Sequence, residues 1–160
     1  MEPVKNNEKI SAKGQLCIKI IRNGKVLEEH ADNLIVTQGR NNLAKLLAGQ
    51  TGMHVTKIGL GTSSVAPEIA DIGITDPLLV DISEVRVGTG LAPITGTATY
   101  DDPRVVQFHF NIDIDTAVGM TIFEYGLFCA DGTLFSRLVR SAPFEKTAMD
   151  AITGFWQIQF

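Results

Sequence analysis

A hairpin signal between residues 122 and 140 constrains this chain more than any other feature of its sequence. Two apolar runs, IFEYGLFC and TLFSRLVR, flank Asp131-Gly132, a dipeptide that tolerates the positive φ angles of a tight type I′ turn. Bulky apolar side chains fall on both faces of each run, which suits strands in the middle of a layered structure. The pattern therefore predicts an antiparallel hairpin at the centre of a β-sandwich.

Three other segments show strand signals. Asn23-Gly24 lies between two apolar runs and predicts a second hairpin. Residues 106–114 alternate strictly between apolar and polar side chains, which indicates one face in the core and one face that is wet or contacts a partner. Near the end, Trp156 begins an alternation of apolar residues with glutamines. This last strand is expected to lie inside a sheet.

One helix is predicted over about residues 38–48, with Thr37 as its N-cap. Leucines at 43, 46 and 47 fall on one face and form the apolar stripe expected of a helix that packs on a sheet. Gly49 follows where a residue of left-handed conformation commonly ends a helix.

Residues 62–96 are expected to hold two irregular segments around one strand. The first, residues 62–77, contains two prolines, and its apolar side chains should anchor it on the domain. A single strand is predicted over residues 78–87, with Val87 among the residues available for burial. A glycine-rich irregular stretch follows to residue 96, and residues 97–100 are expected to form a short edge strand. The apolar anchors predicted for the first segment are Val65, Ile69, Ile72 and Ile74.

These elements indicate a mainly β protein, an antiparallel β-sandwich of jelly-roll or Greek-key type with one short helix. Residues 1–13 form a polar N-terminal arm and residues 14–160 a single domain. The net charge of -4, with scattered basic residues, argues against a nucleic-acid partner. No apolar run approaches the roughly 20 residues of a membrane span, so membrane insertion is not expected.

The sequence predicts no catalytic residues, no cofactor and no metal site. The glycines at 59 and 61 follow a strand, but no lysine or helix follows them as a phosphate loop requires. The three histidines have no metal-ligand spacing along the chain, and no nucleophile motif is present. Cys17 and Cys129 have no histidine at ligand spacing and are interpreted as buried thiols, with a disulfide between neighbouring strands as the alternative.

Two groups of polar residues are candidates for a specific role. Glu124 lies in the middle of an apolar run, and a cross-strand pair with Arg137 explains it better than catalysis does. Tyr100, Asp101 and Asp102 combine an aromatic ring with two carboxylates next to a glycine-rich loop. They form the candidate surface for a sugar or an ion.

Several blocks, in their order and spacing, resemble small structural proteins and domains of tailed-bacteriophage virions, of the tail-fibre, tail-collar and baseplate kind. The resemblance spans about residues 33–160 and carries no active site. The blocks are residues 33–40 with the leucine-rich segment after them, residues 58–62 with Ala66-Pro67, residues 123–128, residues 131–137, residues 144–147 and the aromatic last strand.

The resemblance implies a non-enzymatic virion component, assembled in the host cytoplasm, that acts through contacts with copies of itself and with other virion proteins. Strands with two apolar faces exceed the needs of one small sandwich, so a trimer or a hexamer is expected. The alternative is a carbohydrate-binding module that uses Tyr100, Asp101 and Asp102 to contact a host surface glycan.

Overall fold

A computed structural model describes residues 11–94 and 100–160. Most of the predicted arm, residues 1–10, and residues 97–99 of the predicted edge strand lie outside them. Within the described residues, one helix, α1, spans Thr37–Leu47. The strands are β1 (Lys13–Arg22), β2 (Lys25–Ile35), β3 (Val55–Gly61), β4 (Leu78–Asp81), β5 (Glu84–Leu91), β6 (Tyr100–Ile112), β7 (Thr121–Cys129), β8 (Leu134–Glu145) and β9 (Asp150–Gln159).

The described strands form one antiparallel sheet in the order β4-β3-β7-β8-β2-β1-β9-β6-β5, and the sheet curls into a half-barrel. The prediction of a mainly β, antiparallel protein with one helix is therefore confirmed. Strand β2 joins the two halves of the sheet. Most of its length pairs with β1, while Leu34 and Ile35 pair with Arg137 and Ser136 of β8.

The two edge strands of the sheet are consecutive in sequence. A corner at Ile82-Ser83 separates β4 from β5, and its amides donate to Thr56 O (2.9 Å) and His109 O (2.8 Å) at opposite ends of the strand order. The prediction of one strand over residues 78–87 is therefore wrong. The chain leaves one edge of the curled sheet at this corner and continues along the other edge. The predicted irregular segment is also partly wrong, because β5 extends to Leu91.

The two hairpin turns differ. At the first, Asn23 and Gly24 both have positive φ angles, 50° and 76°, in the predicted two-residue turn between β1 and β2. At the second, only Gly132 is left-handed, and its amide donates to Cys129 O (2.9 Å). The hairpin at Asp131-Gly132 is present, but its type I′ turn is not. Thr133 donates from its amide (3.0 Å) and hydroxyl (2.7 Å) to Asp131 Oδ1. These hydrogen bonds favour a loop that is longer than the two residues of a type I′ turn.

Helix α1 packs on the sheet mainly through small and polar residues, since its buried positions are Gly39 and Asn42. The predicted leucine stripe is correct only in part: Leu43 is half-buried and packs against the core, whereas Leu46 and Leu47 are 39% and 92% exposed. The backbone at Gly39 approaches Phe135 O closely. Asn42 Nδ2 donates to Thr133 Oγ1 at 2.6 Å.

The ends of α1 agree only in part with the prediction. The N-cap is Val36 rather than Thr37, and it makes no side-chain cap hydrogen bond. At the other end Gly49 has the expected positive φ of 78°, and its amide donates to Leu46 O at 2.9 Å.

The core fills the concave side of the sheet. Trp156 is fully buried on β9, which lies between β1 and β6 as the alternation predicts. Tyr125 and Leu127 of β7 are fully buried in the same cluster. No helix in the described ranges has the length and apolar character needed to cross a membrane.

A buried carboxylate holds β9 to the end of β1. Arg22 donates to Asp150 from Nε (2.5 Å) and Nη2 (2.7 Å), and Thr147 donates from its amide and its hydroxyl at 2.8 Å each. The hydrogen bonds from Arg22 outweigh the effect of burial and hold the pKa of Asp150 well below its usual range.

This lowered pKa predicts how stability depends on pH. The folded state prefers the ionised carboxylate, so its contribution is complete above the unfolded pKa of about 3.9 and is lost at lower pH. Asp150→Asn should therefore unfold at lower urea concentration than the wild type at pH 7 and pH 5, and the difference should shrink at pH 3. Asp81→Asn, at a side chain that is 81% exposed, is the control and should show no such difference. A difference that is equal at all three pH values would contradict this role.

Candidate functional site

Glu124 and Arg137 form the cross-strand pair expected from the sequence. Arg137 donates from Nε to Glu124 Oε2 at 2.8 Å, and both side chains are buried. Burial disfavours the Arg137 charge, but hydrogen bonds to Asp71 and Glu124 outweigh it and raise the pKa of Arg137. The guanidinium therefore stays charged inside the protein.

The pair also holds the loop of residues 62–77 on the sheet. Glu124 Oε1 accepts from the amides of Ser63 (3.1 Å) and Thr75 (2.8 Å). Arg137 donates from Nη1 to Asp71 Oδ2 (2.7 Å) and from Nη2 to Val65 O (2.9 Å). The polar groups of both side chains thus form hydrogen bonds and ion pairs within the protein.

The predicted apolar anchoring of this loop is wrong for three of its four residues. Only Ile74 packs against a buried cluster, formed by Val36, Phe128 and Leu134. Charge pairing and backbone hydrogen bonds hold the rest of the loop. The three exposed residues are Val65, Ile69 and Ile72.

The predicted ligand residues lie together at the start of β6, but each has a partner in the protein. The Tyr100 hydroxyl donates to Gln157 Oε1 at 3.0 Å. Asp101 Oδ1 accepts from the Gly90 amide at 2.9 Å. Asp102 binds the Arg104 guanidinium through two hydrogen bonds, which lower the pKa of Asp102. Each of the three side chains therefore has a hydrogen-bond partner within the protein.

A buried polar network lies on the face of β6 that the sequence predicts to be wet. Gln107 is fully buried, and its Nε2 donates to Ala92 O (2.7 Å) and Gln157 Oε1 (2.8 Å). His109 Nε2 lies 3.0 Å from Gln107 Oε1. Burial and the nearby Arg86 lower the pKa of His109. Ala92, directly after β5, hydrogen-bonds to Gln107 on this face, and the alternation of β6 alone does not predict this contact.

The half-barrel opens on a groove with apolar walls, which we call the mouth groove. It has a volume of about 420 Å³ and lies between α1, β5, β6 and the end of β9. Among the described residues that line it, His54 has the one ionisable side chain. The apolar lining residues are Leu43, Leu46, Val55, Val85, Val106, Phe108, Phe135, Ile158 and Phe160.

Strand β5 forms one wall of the mouth groove and an edge of the sheet. Val85 pairs with Phe108 and Val87 with Val106, so both valines continue the concave, apolar face of β6. Within the described residues, no strand pairs with the other side of β5. The strand thus presents apolar side chains and backbone hydrogen-bonding groups to a neighbour. This combination suits the binding of an apolar protein surface.

Both cysteines are free, buried thiols, as favoured by the sequence. Burial raises the pKa of Cys17 to about 11, and the nearby Glu28 makes a smaller contribution in the same direction. Burial also raises the pKa of Cys129. Neither thiol is therefore activated for nucleophilic attack.

A comparison of the chain with protein-family models, with curated proteins and with solved structures found no match.

Proposed function

We propose that this protein is a non-enzymatic structural component of a phage virion, located in the tail, baseplate, collar or fibre attachment. It would assemble in the host cytoplasm, as a trimer or a hexamer, and dock to neighbouring virion proteins. The observation that carries the proposal is the open apolar edge at β5, where the concave face of the half-barrel is left uncovered. The sequence blocks that resemble virion proteins support the same role.

The chemistry of β5 favours a second copy of the chain as the occupant of this edge. Monomeric proteins commonly protect an edge strand with unpaired charges, above all lysine. Here Glu84 and Arg86 pair with each other at 3.0 Å, so they leave no net charge that would repel an identical edge. Val85 and Val87 lie on the opposite face and are 50% and 64% exposed. Contact between copies would remove these valines from water.

Val87→Glu tests this assembly, because it places a charge on the apolar face of β5 without entering the core. At micromolar concentration, light scattering should give a trimer or hexamer for the wild type and a monomer for Val87→Glu. The matched control is Val65→Glu on the loop of residues 62–77, where the valine is 67% exposed. This control should keep the wild-type mass. A monomeric wild type, or an assembled Val87→Glu, would exclude the edge as the interface.

The proposal keeps the finer architecture expected from the sequence, a β-sandwich of jelly-roll or Greek-key type. The two halves of the curled sheet would act as its facing layers. The virion location has its own test, mass spectrometry of purified particles, in which the protein should be present at a fixed ratio to the other tail proteins. The alternative of a carbohydrate-binding module gains no support from Tyr100, Asp101 and Asp102, since their polar groups bind the protein itself.

A further inference from the structure

Three side chains with metal-binding atoms meet on the convex face of the β1–β2 hairpin. Cys17 of β1 lies directly opposite His30 of β2, and Glu28 precedes His30 by two residues on the same face. One potential ligand atom of each side chain lies within 4.8 Å of those of the other two. His30 Nε2 is 2.9 Å and Cys17 Sγ is 3.9 Å from Glu28 Oε1.

These separations are close to those of a tetrahedral zinc site. Zinc–ligand bonds of about 2.0–2.3 Å place the ligand atoms of a tetrahedron about 3.3–3.6 Å apart. The two measured distances to Glu28 Oε1 lie on either side of this range. The Glu28 and His30 side chains are about one-third exposed, 32% and 34%, and have room to adjust by rotation.

The backbone around the cluster is fixed. Strand β1 pairs with β2 on one side and with β9 on the other, where Phe155 lies opposite Cys17. The tight turn at Asn23-Gly24 sets the register that places Cys17 across from His30. Because the ligands come from two strands with a defined register, the site is largely formed before any ion binds.

We propose that Cys17, Glu28 and His30 are three protein ligands of a zinc ion, with a water molecule in the fourth position. A thiolate together with an imidazole selects zinc over the hard cations Mg²⁺ and Ca²⁺, which prefer oxygen ligands. Binding replaces the hydrogen bond from the Cys17 thiol to Glu28, and the thiol proton leaves to the solvent. The thiolate and the carboxylate together balance the charge of the ion.

This site goes beyond the proposed assembly and lies apart from the mouth groove, because Cys17 and His30 are on the convex face. Zinc would join β1 to β2 through their side chains and should raise the melting temperature of the protein by mass action. Lys19 lies opposite Glu28 in the register of the two strands.

The test uses the full chain without a histidine tag, freed of metal by a chelator and then titrated with zinc chloride by calorimetry. We expect one ion per chain. Cobalt chloride should give the sulfur-to-cobalt charge-transfer band in the near ultraviolet and the visible bands of a tetrahedral ion. His30→Gln and Glu28→Gln should each weaken zinc binding by at least about tenfold, since each removes a direct ligand. Cys17→Ser should abolish the charge-transfer band.

Matched controls separate this site from general binding to surface side chains. His54→Gln changes an exposed histidine elsewhere, and Asp32→Asn changes the next acidic residue on the same face of β2. Both should bind zinc like the wild type. Val87→Glu should also keep wild-type zinc affinity, so the failure of the assembly proposal and the failure of this one are distinguishable.

Two results would overturn the zinc site. One is equal zinc affinity in the wild type, His30→Gln and Glu28→Gln. The other is an X-ray absorption spectrum of the zinc-loaded wild type without a sulfur neighbour. The second measurement needs no variant, so it decides the matter even if Cys17→Ser does not fold.

Discussion

Arg137→Met should destabilise the protein by about 3–5 kcal/mol, since it leaves the buried Glu124 carboxylate without its cationic partner. Glu124 is fully buried, and the Arg137 side chain is only 5% exposed, so water cannot replace the lost charge without opening the structure. Methionine keeps most of the volume of the arginine stem, and the effect therefore reports the charge. Urea denaturation measures it. A loss below about 1 kcal/mol, the usual value of an exposed ion pair, would contradict the assigned role.

The double variant Glu124→Gln/Arg137→Met is the sharper test of the same pair. It removes both charges, so it should be more stable than Arg137→Met alone, which is the signature of direct coupling. Arg104→Met is the control for losing an arginine at the surface, where Asp102 is its partner, and should have little effect. If the stability losses of Glu124→Gln and Arg137→Met, each measured alone, simply added up in the double variant, coupling between Glu124 and Arg137 would be excluded.

The loop of residues 62–77 should respond to the same substitution. Its amides at Ser63 and Thr75 donate to Glu124, whose carboxylate is positioned by Arg137. In Arg137→Met these amides should exchange with solvent deuterium faster than in the wild type, even under conditions where the core strands remain protected. Unchanged exchange in the loop would show that the pair does not hold it.

The sequence predicts this pair because its two members lie on one hairpin. A short connection fixes the register of the hairpin. Arg137 lies opposite Gly126, and Glu124 is its diagonal neighbour on the same face, within reach of the long arginine side chain. The same holds for the turn at Asn23-Gly24 and for the end of α1 at Gly49. In each case the deciding contacts lie within one hairpin or one helix end.

The zinc ligands were within reach of the same reasoning. A two-residue turn at positions 23 and 24 places residue 17 opposite residue 30, as the structure shows. Along the chain, Cys17 and His30 are too far apart to form a ligand motif. Only their facing positions across the predicted hairpin indicate the cluster.

Other features depend on how distant parts of the chain meet, and local patterns do not specify them. The break between β4 and β5 follows from the curl of the whole sheet, which brings its two edges to the corner at Ile82-Ser83. The alternation of β6 predicts that Gln107 faces solvent, whereas its side chain is buried and hydrogen-bonds to Ala92, just after β5, and to Gln157 of β9. The mouth groove likewise exists only where β5, β6 and α1 come together.

For Gly39→Ala, helix propensity predicts a more stable protein and packing predicts a less stable one. In the interior of an isolated helix, alanine is favoured over glycine by about 1 kcal/mol. At position 39, however, the added methyl group would overlap the carbonyl oxygen of Phe135, a backbone atom that a change of rotamer cannot move. We expect a net loss of about 1–3 kcal/mol, as for overpacked core sites. Urea denaturation gives both the sign and the size.

Gly73→Ala is the matched control, because a methyl group there meets no atom within 4 Å and the φ angle of Gly73 is not in the left-handed region. This control should leave stability unchanged or raise it slightly by restricting the unfolded chain. If Gly39→Ala were stabilising as well, helix α1 could not be seated on β8 through Gly39. Leu43 and Leu46 of α1 line the mouth groove, and α1 lies against β8. A different position of α1 would therefore also change this wall of the groove.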